Sequence, residues 1–379
     1  MLMGVDSATH SKLRAPARNR FHALCPYFAM FPEAFVEHWV DALTQPGDLV
    51  LDPFSGRGTT VFQSLLKDRQ AVACDVNPVA VCVSRAKADP PELAAIRGRI
   101  TALENAFDPT ATLDQEAEPL PEFFRHAFSP STLRQLLYLR SRLSWETSRV
   151  DGMIAALVLG SLHGESEKSP SYLSTQMPRT ISTKPAYSVR FWAKHGFTAP
   201  DRDTFTLLRQ RAGFRYESER PERRGTVYRS DMRELPRLIE RGSVGCVITS
   251  PPYFDVTNFE EDQWLRLWFL GGPSRPTFGR LSKDDRHENR DRYWGLIADL
   301  WRTLGRVCAE NADVVIRIGA KGISNASLAS GLSAAAVCSG RSVELVSQSE
   351  SDLRRRQTDS FRPGSKGVLS EIDCHLRFR

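Results

Sequence analysis

The chain has 379 residues, of which 41% are apolar and 25% charged, with a formal net charge of +6. This composition excludes a disordered or low-complexity polypeptide and allows two or three domains, or one large α/β domain carrying an insertion. No apolar run is long enough to span a bilayer and no apolar signal core follows the early basic residues, so a soluble, cytoplasmic protein is expected. The seven cysteines (Cys25, Cys74, Cys82, Cys246, Cys308, Cys338 and Cys374) include no C-x-x-C pair and mostly sit in apolar runs, as reduced core residues do. Basic residues are concentrated in one stretch holding Arg202, Arg209, Arg211, Arg215, Arg220, Arg223, Arg224 and Arg229, and again at Arg354, Arg355 and Arg356. Such runs suit a polyanionic partner or a solvated helix face equally.

In chain order, a strand-like run over 48–54 follows the turn Gln45-Pro46-Gly47, and a glycine turn leads into a helix over 59–67. A second strand is predicted at 71–75, then a helix opening at Pro78, a favoured first-turn residue. Strand, helix, strand, helix at this spacing is the pattern of a parallel sheet. The pattern stops at Pro90-Pro91. Helical periodicity appears over 123–143 and 153–162, and a polar, proline-bearing stretch fills 165–186. Alternation resumes at 226–228, followed by a helix near 232–241, a strand at 244–249, a long helix near 291–309, a strand at 313–318 and a helix at 326–338. Two closing strands, 343–346 and 372–378, are expected to form an antiparallel pair at one edge. The expected fold class is α/β, a Rossmann-like, doubly wound, mostly parallel seven-stranded sheet. Its two parts, 1–90 and 226–379, are separated by a large, mainly helical insertion at 91–225.

The first chemical motif is Leu51-Asp52-Pro53-Phe54-Ser55-Gly56-Arg57-Gly58-Thr59-Thr60, at the carboxyl end of the first strand, where open α/β sheets bind ligands. Gly56 and Gly58 allow close backbone approach and a sharp turn into the helix. A dinucleotide fingerprint would place a third small residue near position 61, which is Val61, so the pyrophosphate cradle is incomplete. Asp75, at the end of the second strand, is placed to accept hydrogen bonds from ribose hydroxyls. A glycine turn with a ribose acid but no phosphate cradle suits a nucleoside such as S-adenosylmethionine. Gly-x-Gly by itself suits a tight strand–helix turn with no ligand better than a cofactor site; Asp52, Phe54 and Asp75 reverse that preference toward the cofactor.

The second motif, Ser250-Pro251-Pro252-Tyr253, follows the strand at 244–249. Two prolines fix φ and remove two N–H donors, leaving a rigid loop whose carbonyls meet no competing donor. An exocyclic base amine is a poor nucleophile because its lone pair is delocalised into the ring. Acceptors against its two hydrogens, here the Ser250 hydroxyl and the Pro251 carbonyl, favour the pyramidal geometry that frees the pair. Tyr253 can stack on a base that has left the duplex. A proline-rich turn with a packing tyrosine is the alternative for this motif taken alone.

Together the two motifs resemble the amino-methyltransferases that modify DNA at cytosine N4 or adenine N6. The resemblance covers about the first 90 residues and most of 226–319. Pro26-Tyr27-Phe28-Ala29-Met30-Phe31-Pro32-Glu33 resembles the family's leading motif, which places Tyr27 beside the methionine part of the cofactor. The run from Asp52 to Thr60, including Thr59, resembles the glycine motif, with Arg57 where a small residue is commoner. Asp75 resembles the ribose acid, Asp231 the acid beside the adenine ring, and Ser250 to Tyr253 the catalytic tetrapeptide. The resemblance implies a site-specific DNA methyltransferase using S-adenosylmethionine and needing no metal. Ser250 in the first position favours cytosine N4 over adenine N6. The order of motifs implies that the insertion carries target recognition. Its Tyr172, Met177, Arg179, Lys184, Tyr187, Arg190, Trp192, Lys194 and His195 suit contacts to phosphates and bases, or a lid with its own small core.

Two other functions compete: an RNA methyltransferase of the guanine-N2 type, and a binding protein that has lost catalysis. Intact Gly56, Gly58, Asp75 and Ser250 to Tyr253 argue against the second. A cognate restriction or defence system is the expected partner beyond duplex DNA, and no membrane association is expected. His22, His163, His195 and His287 show no metal-ligand spacing. Glu260, Glu261 and Asp262 read as acids at a helix N-terminus rather than as a general base.

Overall fold

In a computed structural model, the structure describes residues 18–26, 32–110, 120–164, 172–176, 184–254, 259–277, 290–320, 322–352 and 370–379. Seven strands form one sheet: β1 (Leu49–Asp52), β2 (Gln70–Asp75), β3 (Thr226–Arg229), β4 (Val244–Thr249), β5 (Cys308–Ile318), β6 (Val343–Asp352) and β7 (Ser370–Phe378). Their order is β3-β2-β1-β4-β5-β7-β6. The first five neighbours run parallel, while β7 lies antiparallel between β5 and β6. The closing pair therefore forms as expected, with β6 as the edge strand.

Successive strand residues point to opposite faces, and the two faces are covered differently. Leu51, Cys74, Val247, Val314 and Ile316 share a core with α12 (Arg290–Val307) and α13 (Asn325–Ala335). Val50, Cys246, Ile248 and Val315 pack under Val36 and Val40 of α1 (Glu33–Leu43). Beside them, Ala71, Ala73 and Val227 meet Val61 and Leu65 of α2 (Thr59–Leu66). The helix α3 (Pro78–Ala88) starts at Asn77, whose side chain accepts from Val79 N–H, with Pro78 preset for the first turn.

Among the described residues, six helices lie between α3 and β3: α4 (Leu93–Asn105), α5 (Glu122–Ala127), α6 (Pro130–Arg142), α7 (Arg149–Leu159), α8 (Pro185–His195) and α9 (Thr204–Arg215). The apolar periodicity over 123–143 belongs to two helices rather than one. The chain breaks at Phe128, and Ser129 caps the next helix, accepting from Thr132 N–H ahead of Pro130. In α7 every residue from Asp151 to Leu159 is buried, because α7 is wrapped on all sides. Its core is continuous with Phe62 of α2, with Val79, Cys82, Val83 and Ala86 of α3, and with Trp264, Leu265 and Trp268 of α11 (Phe259–Phe269). The inserted helices therefore share one core with the sheet's own helices. The short α10 (Leu235–Leu238) follows β3.

The arginine run around α9 is largely committed to internal partners. Arg209 pairs with Glu104, Arg220 with Glu92, Arg223 with Asp68, Arg224 with Asp89 and Arg229 with Glu146. Arg215 is buried and donates to Ala23 O at 2.7 Å. Arg354 to Arg356 lie outside the described residues. Among the described residues no helix is long and apolar enough to cross a membrane.

Phe124 sits where this core joins α11, its ring centroid 4.5 Å from that of Trp268 and 5.9 Å from that of Trp264. Phe124→Ala is expected to lower stability by about 3–5 kcal/mol, measured by denaturant unfolding. A loss below about 1 kcal/mol would contradict the continuity of this core.

Candidate active site

The sheet reverses its winding between β1 and β4, and the carboxyl ends of these neighbours carry both sequence motifs. Ligands bind at such a switch point because the loops leaving the two strands part in opposite directions and open a crevice. Here the two strand ends are also bonded to each other. Thr249, the last residue of β4, donates its hydroxyl to Asp52 Oδ1 at 2.7 Å. Phe54 N–H donates to the same oxygen at 3.1 Å. Thr60, in the first turn of α2, donates its hydroxyl to Ile248 O at 3.1 Å. Asp52 is 1% exposed. Burial raises its carboxyl to about 6, against the opposing pull of the Thr249, Phe54 and Thr60 hydrogen bonds.

The glycine turn is held from the neighbouring strand. Ser55 N–H donates to Cys74 O at 2.9 Å, and Gly58 N–H to Ser55 O at 2.8 Å. Gly56 N–H donates to Asp75 Oδ2 and Asn77 N–H to Asp75 Oδ1, both at 2.9 Å. Backbone donors thus fix the orientation of the Asp75 carboxylate, whose oxygens can also accept from a hydroxyl. Burial raises the Asp75 carboxyl, and the backbone donors of Asn77 and Gly56 oppose it.

The two glycines serve different ends. Gly58 stands at φ +67°, and a Cβ there would lie 2.8 Å from Ser84 Oγ and 3.0 Å from Ser84 Cα, so packing on α3 demands glycine. Gly56, at φ +50°, has only Phe54 O, 3.8 Å away, near the place of its missing Cβ. Its open side is the one a ligand can approach. Thr59 is buried where α2 begins, and Phe54 packs half-buried on the α12 side of the sheet. Arg57 turns inward: it is buried, and its guanidinium donates to His22 O at 2.8 Å. The Arg57 carbonyl in turn accepts from the ammonium of Lys87, whose pKa burial drives far below the usual lysine range.

Asp231 caps the short helical turn after β3, accepting from Arg233 N–H at 2.9 Å. It also clasps the Arg233 guanidinium, with Nε to Oδ1 at 2.9 Å and Nη2 to Oδ2 at 2.8 Å. Burial, then the charges of Asp75, Asp52 and Asp231, hold the Cys74 thiol well above its ordinary range. Three of the acids singled out in the sequence therefore converge on the end of β2.

In the second motif Pro251 is buried, and Ser250, Pro252 and Tyr253 are half-buried. The Tyr253 hydroxyl donates to Glu371 Oε1 of β7 at 2.9 Å. Burial and the Glu371 charge push its phenol well above the ordinary range, while a hydrogen bond with the Ser250 hydroxyl opposes the shift. Phe254, next in the chain, pairs with Ala320 and packs on Tyr293 with ring centroids 5.6 Å apart.

The structure thus gathers Asp52, Phe54, Gly56, Gly58, Thr59, Asp75, Asp231, Ser250, Pro251, Pro252 and Tyr253 along the carboxyl edge of β1 to β4. Tyr27 lies outside the described residues. Sequence reasoning missed Thr249, Ser84 and Glu371. Thr249 carries a faint signal, a polar residue ending an otherwise apolar strand run. Ser84 and Glu371 carry none, since each acts across the fold.

Residues 7–84 match the family model described as DNA methylase. The type II methyltransferase M.Cfr9I of Citrobacter freundii is 43% identical over 61 residues, which are 16% of this chain and 20% of that protein. M.XycI of Xanthomonas campestris pv. cyanopsidis is 38% identical over 58 residues, 15% of this chain and 19% of that protein. The chain thus spans about a fifth of the length of the curated relatives it matches. Among solved structures, TrmN from Thermus thermophilus gives a TM-score of 0.39 at 9% identity, covering 95% of this chain and 53% of that one. The rRNA methyltransferase AviRa from Streptomyces viridochromogenes gives 0.32 at 13% identity, covering 95% and 93%. These likenesses are to a DNA methylase model over residues 7–84 and to short stretches of two type II methyltransferases.

The burial of Asp52 has a measurable sign. Its folded carboxyl titrates near 6 against 3.8 ordinarily, so the native protein takes up this proton first as pH falls. Between pH 7 and 5 the native protein is expected to gain about 1 kcal/mol relative to Asp52→Asn in denaturant unfolding. Equal pH slopes for the two proteins would refute the buried ionisation.

Proposed function

We propose that the protein, whose residues 7–84 match a DNA methylase model, methylates the exocyclic amine of a base extruded from duplex DNA, with cytosine N4 as the target. The observation that carries this reading is the 2.7 Å bond from Thr249 to Asp52, which holds the Ser250 to Tyr253 loop beside the glycine turn. S-adenosylmethionine, when bound, supplies an electrophilic methyl on a sulfonium centre. The residues present fit it: Gly56 leaves an open backbone face, and Asp75 offers two pre-oriented acceptor oxygens to ribose hydroxyls. Phe54 contributes an apolar wall beside them, and Asp231 stands at the end of the next strand.

Ser250 and Pro251 accept from the two hydrogens of the base amine, favouring the pyramidal nitrogen whose lone pair attacks in line. The carbon–sulfur bond breaks as the nitrogen–carbon bond forms, and the amine proton leaves afterwards to solvent. Tyr253 stacks on the extruded base. Ser250 supports cytosine over adenine, on the family resemblance set out above.

The region 91–225 supplies target recognition in this reading, and α8 is its best-placed element. Trp192 is buried against Phe123, which packs in turn on Trp264 of α11, the helix that follows the catalytic loop. The other side of α8 presents Tyr187, 52% exposed, with Arg190 and Lys194, and no acidic residue occurs from 184 to 200. That face suits phosphate contacts flanking the target. The proposal extends to modification of a defined recognition sequence, beside a cognate nuclease and in the cytoplasm.

Incubation of the purified protein with duplex DNA and methyl-labelled cofactor, followed by digestion to nucleosides, tests the reading. N4-methylcytosine is the expected product; N6-methyladenine would overturn the choice of base, and unlabelled DNA would overturn the reaction. Tyr253→Ala is expected to slow transfer about 10- to 100-fold with cofactor affinity little changed. Equal loss of both would contradict its stacking role. Arg190→Ala and Lys194→Ala should each weaken DNA binding uniformly across sequences and reduce its salt dependence by about one phosphate contact. An unchanged salt slope would remove α8 from the interface.

A further inference from the structure

Tyr253 is held by a part of the sheet that no sequence motif includes. Arg317 of β5 and Asp373 of β7 sit directly opposite one another in the antiparallel ladder. Arg317 Nε and Nη2 grip the two Asp373 oxygens at 2.6 and 2.7 Å. The guanidinium lies 3.9 Å from the ring centroid of Phe35 in α1. Glu371, two residues before Asp373 and so on the same face, approaches Arg317 Nη1 at 3.7 Å and accepts from the Tyr253 hydroxyl at 2.9 Å.

The charge balance is informative. Asp373 already neutralises Arg317 through a two-point grip, so Glu371 is a second carboxylate on one guanidinium. Burying a surplus charge is unfavourable, and Glu371 makes its shortest hydrogen bond to Tyr253. The two prolines fix the backbone ahead of Tyr253 but leave its side-chain torsions free. The bond to Glu371 restrains those torsions.

We infer that Glu371 is a positioning residue for methyl transfer, holding the Tyr253 ring in the single orientation that stacks the target base, with Arg317 as its counter-charge. The inference rests on the reading of Tyr253 given above. Glu371→Ala is expected to lower kcat about 10-fold while cofactor affinity and the KM for DNA change less than about twofold. Glu371→Gln, which keeps an acceptor in place, restores most of the rate. Tyr253→Phe keeps the ring but loses the donor, so it should match Glu371→Ala, and the double variant should be no slower than either single one. A native kcat for Glu371→Ala, or losses that multiply in the double variant, would overturn the inference. If Glu371→Ala does not fold, Tyr253→Phe decides, and a native rate there overturns it.

Fluorine NMR of the protein with fluorotyrosine at position 253 reads the ring without reference to activity. One narrow resonance that broadens or splits in Glu371→Ala but stays narrow in Glu371→Gln supports the positioning role, and an unchanged spectrum in Glu371→Ala overturns it. A native protein that methylates no DNA would sink the proposed function, while the spectrum still decides whether Glu371 sets the ring.

Discussion

A single buried hydrogen bond, from the Thr249 hydroxyl to Asp52, organises the edge of this sheet. It joins the ends of two parallel strands that leave the sheet into different loops, and so fixes the distance between the glycine turn and the Pro-Pro loop. A carboxylate is an unfavourable group to bury, and its burial raises the carboxyl to about 6. The compensation is local: the Thr249 hydroxyl and the Phe54 N–H both donate to it, one from each of the segments that must be aligned. The same crowding explains why Asp75, one strand away, is steered by Gly56 and Asn77 rather than left to rotate.

Around that edge the protein uses two kinds of support. On the α3 side the contacts are steric. Gly58 lies against Ser84, and the inserted helices extend the core of α2 and α3 without a seam. On the α1 side they are ionic and aromatic. Asp313 binds His375 and Arg377, Arg317 binds Asp373, and Phe35 and Trp39 of α1 cover Arg317 and His375. The Ser250 to Tyr253 loop sits where the two regimes meet. Its tyrosine reaches the ionic side, and the helix after it joins the steric side.

Much of this was legible in the sequence, for identifiable reasons. Short apolar runs bounded by Pro-Gly or Gly turns gave the strands away, and Asn77-Pro78 marked the start of α3. The placement of the motif residues at the carboxyl ends of strands could be read because each motif directly follows an apolar run. Other features were hidden by degeneracy. A continuous apolar stripe ran through Phe123 to Leu143, although Ser129-Pro130 held the signal for a break. Trp192 and Tyr187 lie on one helix with one buried and the other exposed, and helical phase does not say which face has a neighbour. The arginines near α9 suited a polyanion or a solvated face equally until their carboxylate partners, scattered from Asp68 to Glu146, were folded beside them. Glu371 was invisible because it meets Tyr253 only once β7 has slotted between β5 and β6.

The insertion also governs the timetable of synthesis. Val50 in β1 pairs with Cys246 in β4, so the middle of the sheet cannot close until nearly two hundred further residues have left the ribosome. At about 5–20 residues per second, β1 waits on the order of 10–40 s with one edge unpaired. Only β2 can join it in that interval, and such an open apolar edge invites pairing with other chains. The helices α4 to α9 emerge during the wait and have their own core against α2 and α3 to settle on. They therefore give α2 and α3 an apolar partner before β4 reaches β1.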